Sequence, residues 1–236
     1  MNESMSFENN EKDKKQLIVY LSQFINETRL ELLQKILTQR TRYITVVLED
    51  IYQSQNASAV LRSCDCFGIQ DVHIIENRNR FQVNKLVSLG APKWLSLNRY
   101  NHLDNNTPNA LQSLKEAGYR IVATSPDRNA IPVNDFDLTT GKVALVFGSE
   151  KPGISSAAES MADEFLTIPM VGFTESLNLS VSVATILYQL TNSMRSQSVA
   201  WQLTDHEANG IMLEWMRRNI KKCTAIEARF WKGDIH

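Results

Sequence analysis

Short runs of branched apolar residues, alternating with stretches of helical periodicity, restrict this chain more than any other feature. The runs are Tyr43–Leu48 (YITVVL), Val72–Ile75 (VHII), Tyr119–Ala123 (YRIVA) and Val143–Phe147 (VALVF). Strands buried on both faces read as continuous β-branched segments, not as apolar–polar alternation. Between the first two runs, Ala57, Val60, Leu61, Cys64 and Phe67 mark one face of a helix, with Asn56 as its N-cap and Gly68 closing it. A weaker Gly- and Asn-containing stretch leads to a helix over Ala110–Ala117, ended by Gly118. A short helix over Ile154–Met161, a fifth strand over Phe165–Ile168 and a strongly apolar helix over Leu177–Leu190 continue the pattern. This βαβ order predicts an α/β domain on a parallel sheet, with ligands bound where loops leave the carboxyl ends of the strands.

The texture differs outside residues 43–195. Leu17, Tyr20, Leu21, Phe24, Ile25, Leu30, Leu33 and Leu37 give Lys15–Gln39 a helical rhythm. Thr204 with Glu207 is a capping-box pattern, and Ile211, Met212, Trp215, Met216 and Ile220 form the apolar face of a C-terminal helix. That face must be covered, by its own domain or by a partner subunit. The expected organisation is a polar, disordered lead over 1–14, a helical extension over 15–42, the α/β domain over 43–195 and a second helical extension over 196–236.

The chain is 43% hydrophobic and 22% charged, as in globular proteins. Its apolar runs stop well short of the ~18 residues a membrane span needs, and the N-terminus carries no secretory h-region, so no membrane partner is expected. Cys64, Cys66 and Cys223 cannot all pair, and the four histidines are scattered; no metal is expected, and a reducing cytoplasm is the default. A formal net charge of −1 does not announce a nucleic-acid partner, which would need a local basic surface. Arg29, Lys35, Arg40 and Arg42 near one end and Arg217, Arg218, Lys221 and Lys222 near the other are the candidates, and on charge alone they read as solvated helix faces.

The usual nucleotide motifs are missing. No G-x-G-x-x-G follows the first strand, no G-x-x-x-x-G-K-[ST] occurs, and no G-x-S-x-G elbow is present. Three polar clusters occupy the strand ends instead. In the first, Arg62 lies six residues beyond Asn56 and off the apolar stripe, where its guanidinium fork suits a phosphate; spacing alone nevertheless favours a plain cap and a surface arginine. In the second, strand Val143–Phe147 runs into Gly148, Glu150 and Pro152-Gly153; Gly148 permits close backbone approach, and Glu150 is either an active carboxylate or a helix-start residue. In the third, a strand runs through Pro169 and Gly172 into Ser176-Leu177-Asn178 at the mouth of the most apolar helix. Ser176 as a cap leaves Asn178, a poor helix former, unexplained, and broken local propensity at a strand end points to function.

Together the clusters resemble the three motifs of the SpoU/TrmH family in the SPOUT superfamily of methyltransferases. These are N-x-x-A-x-x-R at Asn56, Ala59 and Arg62; G-x-E-x-x-G at Gly148, Glu150 and Gly153; and I-P-M-x-G-x-x-x-S-L-N-x-S-V at Ile168 through Val181. The resemblance runs from about Leu30 to Arg195. The short helical lead, the C-terminal extension and Gly90-Ala-Pro-Lys93-Trp94 are similar to the branch that methylates the ribose of guanosine 18 in the tRNA D-loop. Glu175 departs from that branch, which carries Gln before the S-L-N.

The resemblance implies an RNA 2′-O-methyltransferase that uses S-adenosyl-L-methionine (AdoMet), acts on tRNA, works as a homodimer and carries a deep trefoil knot over about 120–195. It implies catalytic roles for Arg62, Asn56, Glu150, Ser176 and Asn178, and cofactor contacts at Thr124, Gly148, Ile168, Met170 and Leu177. Arg62 is implied to reach toward the partner's cofactor pocket, and the helix from Leu177 and the C-terminal helix are implied dimer surfaces. The same motifs would serve another tRNA position or rRNA; a non-catalytic RNA-binding protein on this scaffold is the alternative from another class, and the intact Asn56, Arg62, Glu150, Ser176 and Asn178 speak against it.

Overall fold

The computed structural model of the protein describes residues 11–126, 129–149 and 151–233. They fall into two compact units, one spanning 41–201 and one formed by the described residues before 41 and after 201. Residues 1–10 of the disordered lead expected over 1–14 lie outside the described residues; its last four residues are instead helical, in the first described helix, which begins at Glu11.

In the first unit the described strands form one parallel sheet of seven: β1 (Ile44–Glu49), β2 (Asp71–Ile75), β3 (Ser96–Tyr100), β4 (Arg120–Thr124), β5 (Ile131–Pro132), β6 (Val143–Phe147) and β7 (Glu164–Thr167), in the order β3-β2-β1-β6-β4-β7-β5. The expected α/β class with a parallel sheet is therefore observed. Strands β1 and β6 are buried along their whole length, as their unbroken apolar sequences require. Alternate residues serve opposite faces. Val46 and Leu48 meet α3 (Ser54–Cys66) and α7 (Leu179–Ser196) in one core; Val47, Ala144 and Val146 meet α5 (Thr107–Glu116) and α6 (Ser156–Met161) in the other. A single turn of helix, α4 (Lys85–Ser88), and a 3-10 turn over Ala91–Lys93 precede β3.

Three local expectations are corrected. Strand β3 (SLNRY) was hidden because it is an edge strand with two exposed residues and no apolar run. Asn56 is not an N-cap: α3 starts at Ser54 behind Gln53, and Asn56 sits buried in its first turn. Conversely Asn178, expected inside a helix, is the N-cap of α7 and accepts the Ser180 N–H at 2.9 Å, so the helix starts at Leu179.

The second unit contains α1 (Glu11–Ser22), α2 (Glu27–Leu37), α8 (Asp205–Asn219) and α9 (Cys223–Lys232). The rhythm read as one helix is two, because Asn26 caps a new start by accepting the Arg29 N–H at 2.8 Å. The Thr204–Glu207 capping box is present in both directions. Ile211, Met212, Trp215 and Met216 are buried in a unit where α8 packs on α1 and α2, so its own unit covers that apolar face. No described helix is long and apolar enough to cross a membrane.

Candidate active site

Strands β4, β6 and β7 lie side by side and parallel, so their carboxyl ends reach one edge of the sheet together. The loops they release, with the start of α7, enclose a cavity of about 380 Å³. Thr124, Ser125 and Pro126 come from the end of β4, and Phe147, Gly148 and Ser149 from the end of β6. Thr167, Ile168 and Met170 follow β7; Glu175 through Leu179, with Ser182 and Ile186, close the remaining side. The volume is that of a small-molecule site.

Residue 148 must be glycine. A Cβ there would stand 2.1 Å from the carbonyl carbon and oxygen of Gly153 and 2.3 Å from the Ile154 nitrogen, all backbone. The contact is this close because the loop folds back on itself: Ser149 and Gly153 exchange N–H to carbonyl bonds of 3.1 and 2.9 Å, with Gly153 at φ 69°. Beneath the loop, the buried carboxylate of Glu49 accepts from the Ser155 N–H at 2.8 Å, the Ser155 hydroxyl at 2.6 Å and the Thr107 hydroxyl at 2.5 Å. Glu49 thereby fixes the start of α6. It was overlooked in the sequence; the signal was a carboxylate closing an otherwise apolar strand.

Asn178 joins the first and third clusters. Its side-chain carbonyl accepts from the Ser180 N–H and from the Ser180 hydroxyl at 2.7 Å, while its amide donates to the Asn56 carbonyl oxygen at 3.3 Å. The Asn56 amide in turn donates to Gln53 Oε1 at 3.1 Å. A buried asparagine at the third helical position is explained by this relay, since each of its side-chain ends has a partner.

Of the residues singled out above, Thr124, Gly148, Ile168, Met170, Ser176, Leu177 and Asn178 line one cavity, and Asn56 stands one hydrogen bond away. Arg62 does not line it; it is exposed on α3. Glu150 lies outside the described residues. The third cluster's Val171 and Phe173 are fully exposed.

Charge among the described walls of the cavity is sparse. Among the described lining residues Glu175 is the one charged group, and there is no lysine or arginine. Among the described walls a ligand bearing several phosphates would find no counter-charge, whereas a compact cation with an apolar body would find a carboxylate and the apolar side chains of Leu166, Ile168, Leu179 and Ile186. Among the described residues no group of three or more His, Cys, Asp or Glu is placed to hold a metal ion.

The sequence pattern of the SpoU rRNA methylase family matches residues 43–188. The chain belongs to the SpoU methylase family. The tRNA (guanosine(18)-2′-O)-methyltransferase of Borreliella burgdorferi is 40% identical to this SpoU methylase over 207 residues, covering 88% of this chain and 93% of that one. The tRNA (guanosine(18)-2′-O)-methyltransferase of Thermus thermophilus is 34% identical over 163 residues, covering 69% and 81%. Among solved structures, the TrmH/SpoU tRNA modifying enzyme of Aquifex aeolicus superposes with a TM-score of 0.73 at 27% identity, covering 83% of this chain and 98% of that one.

Proposed function

We propose that this SpoU methylase transfers a methyl group from AdoMet to the ribose 2′-OH of tRNA, at guanosine 18 of the D-loop. The observation that carries the reading is one cavity, lined in large part from the second and third motif segments, with a single charged group among its described walls, in a chain similar over most of its length to enzymes of that name. The lining suits AdoMet: Thr124, Gly148, Ile168, Met170 and Leu177 would hold it through close backbone approach and apolar contact, with Glu175 facing its positive charge.

AdoMet supplies an activated methyl group on a sulfonium, so the chain's own task is to align the ribose hydroxyl and manage its proton. Ser176 and Asn178, at the mouth of the cavity, position the ribose. Asn56 holds Asn178 in place through the 3.3 Å bond. Arg62 grips a phosphate of the target nucleotide and offsets charge on the attacking oxygen; its guanidinium stays protonated, so it is no general base. Glu150 orients Arg62 or Asn56. The 2′-OH also restricts the substrate to RNA.

The proposal includes a trefoil knot over about 120–195, supported by a strand order in which β6 lies between β1 and β4 and β7 lies outside β4. It includes a homodimer, supported by Val181 and Tyr188, which are 47% and 59% exposed and seven residues apart on one face of α7. The division near residues 40 and 201 supports a catalytic domain over 43–195 with helical extensions over 15–42 and 196–236. The free thiols of Cys64, Cys66 and Cys223 suit a reducing cytoplasm.

The test is methyl transfer from labelled AdoMet to unmodified tRNA, with nuclease mapping of the product. Label on the D-loop guanosine ribose is expected; label elsewhere overturns the site, and none in tRNA overturns the substrate. Arg62→Ala should lower turnover about 100-fold or more and leave AdoMet affinity intact. An Arg62→Ala protein with near-full turnover would sink the role given to it.

A further inference from the structure

Most arginines in this chain are already engaged. Arg42 pairs with Asp71 at 2.9 Å, Arg99 with Glu76 at 2.9 Å, Arg217 with Glu227 at 2.8 Å, Arg218 with Glu214 at 3.5 Å, and Arg120 with Glu164. Arg40 is buried against Trp215, and Arg195 lies over Trp201. Arg40, Arg42, Arg217 and Arg218, four of the expected basic-surface residues, are therefore tied into their own units. The side chains of Arg62, Arg78 and Arg80 are exposed and have no hydrogen-bond or ion-pair partner among the described residues.

Arg78 and Arg80 line a second cavity, of about 540 Å³, with Tyr52, Gln53, Ser54, Gln55, Asn79 and Gln82. Its arginine loop is held by a clamp on the backbone. Asp50 adopts a left-handed conformation, φ 53°, uncommon for a residue with a side chain. In that pose its carboxylate accepts three successive N–H groups, from Asn77 at 2.7 Å, Arg78 at 2.8 Å and Asn79 at 3.3 Å. The Asn79 amide returns a bond to the Asp50 carbonyl at 2.9 Å. The clamp fixes the backbone that carries the two arginines, whose side chains have no partner among the described residues.

What it binds follows from its walls. Tyr52 is 78% exposed and offers an aromatic face beside two guanidinium groups. Aromatic faces with arginines are the means by which proteins hold unpaired bases and their phosphates. The cavity also adjoins the active site: Gln53, in its wall, accepts from Asn56, which accepts from Asn178 in the cofactor cavity. Gln55, another wall residue, is seven positions before Arg62 and so shares its helix face, roughly 10 Å away along the axis. That is the rise of about three stacked nucleotides.

We propose that the Tyr52–Arg78–Arg80 cleft is a second RNA subsite, which holds an unpaired nucleotide close to the one that is methylated. Tyr52 stacks on the base, and Arg78 and Arg80 hold phosphates. The inference rests on the tRNA-methyltransferase reading and extends it: the substrate must present a single-stranded loop, not a continuous duplex, next to the target ribose.

The test uses the full chain, unmodified tRNA transcript and three measurements: tRNA Kd against salt, KM for tRNA, and AdoMet Kd. Tyr52→Ala should raise tRNA Kd and KM roughly tenfold. Tyr52→Phe should restore wild-type values and Tyr52→Leu should not. Arg78→Ala/Arg80→Ala should flatten the slope of log affinity against log salt by about 1.5. AdoMet Kd should stay unchanged throughout. Wild-type tRNA Kd and salt slope in these variants, with the parent protein active on tRNA, overturn the subsite alone. A shifted AdoMet Kd makes these residues merely structural and overturns it too. A parent protein that neither binds nor methylates tRNA overturns the subsite and the tRNA reading together.

Discussion

The two cavities, linked by the hydrogen bonds of Asn56 in the first turn of α3, are opposites. One is bounded by loops after β4, β6 and β7 and carries a single charged group, Glu175, among its described walls. The other is bounded by the segment after β1 and the loop after β2 and carries Arg78 and Arg80. An arginine in the first would repel a sulfonium; a carboxylate lining the second would repel phosphate. Separating them allows one small domain to hold a cationic cofactor and a polyanionic substrate at short range. It also shows why the net charge of −1 was uninformative: a sum over the chain erases a local sorting of charge.

The sharpest way to break that contrast is to damage the neutral cavity alone. Gly148→Ala places a methyl group inside the Gly153 backbone, which no rotamer change relieves. The turn must move, and overpacking of this kind converts to a loss of roughly 100-fold in AdoMet affinity, read by calorimetry. The arginine cleft shares no residue with that turn, so tRNA affinity should hold. Equal loss of both affinities would mean that the two cavities are not independent.

The contrast was only half legible in the sequence. The neutral cavity was readable because its parts sit in continuous motifs at strand ends: Gly148 after VALVF, and Ser176-Leu177-Asn178 before the apolar helix. The sheet was readable where strands are buried on both faces, as in β1 and β6, and unreadable at the edges, where β3 exposes Asn98 and Arg99 and β5 is two residues long. The arginine cleft was invisible because its makers are not periodic. Asp50 looks like an ordinary turn residue until three N–H groups converge on it, and Tyr52 and Arg80 are 28 positions apart. The roles of Asn56 and Asn178 were misassigned because the helix starts lie elsewhere: α3 begins two residues before Asn56, and α7 begins just after Asn178, whose side chain accepts the Ser180 N–H.

Acid should probe the arginine side. His73 lies on β2, the strand that leads to the Asp50-clamped loop, buried and stacked on Tyr100 with its Nδ1 3.0 Å from the tyrosine hydroxyl. Burial lowers its pKa to about 4 from the ordinary 6.5. Well above pH 6.5 the ring is neutral in both folded and unfolded chains, and its contribution is complete. As pH falls toward 4 the unfolded chain takes up the proton first, so stability drops, by about 2 kcal/mol at pH 5. Urea unfolding at pH 7 and pH 5 measures this, and His73→Gln should flatten the difference. An unchanged difference in that variant would place the acid-sensitive group elsewhere.

The smallest effect tests the seam between the cavities. Asn178 does two things with one side chain: its oxygen caps α7, and its amide reaches Asn56. The substitution Asn178→Asp keeps the first and loses the second, because aspartate is as good an N-cap but has no donor. It should therefore leave thermal stability within about 0.5 kcal/mol of the parent. Turnover on tRNA should fall several-fold, about the value of one hydrogen bond of ~1 kcal/mol, without a matching change in AdoMet Kd. A carboxylate facing the Asn56 oxygen adds repulsion in the same direction. If turnover is unaffected, the bond between the two asparagines is incidental and the cavities act without it; if stability falls with turnover, the cap, not the seam, is what Asn178 provides.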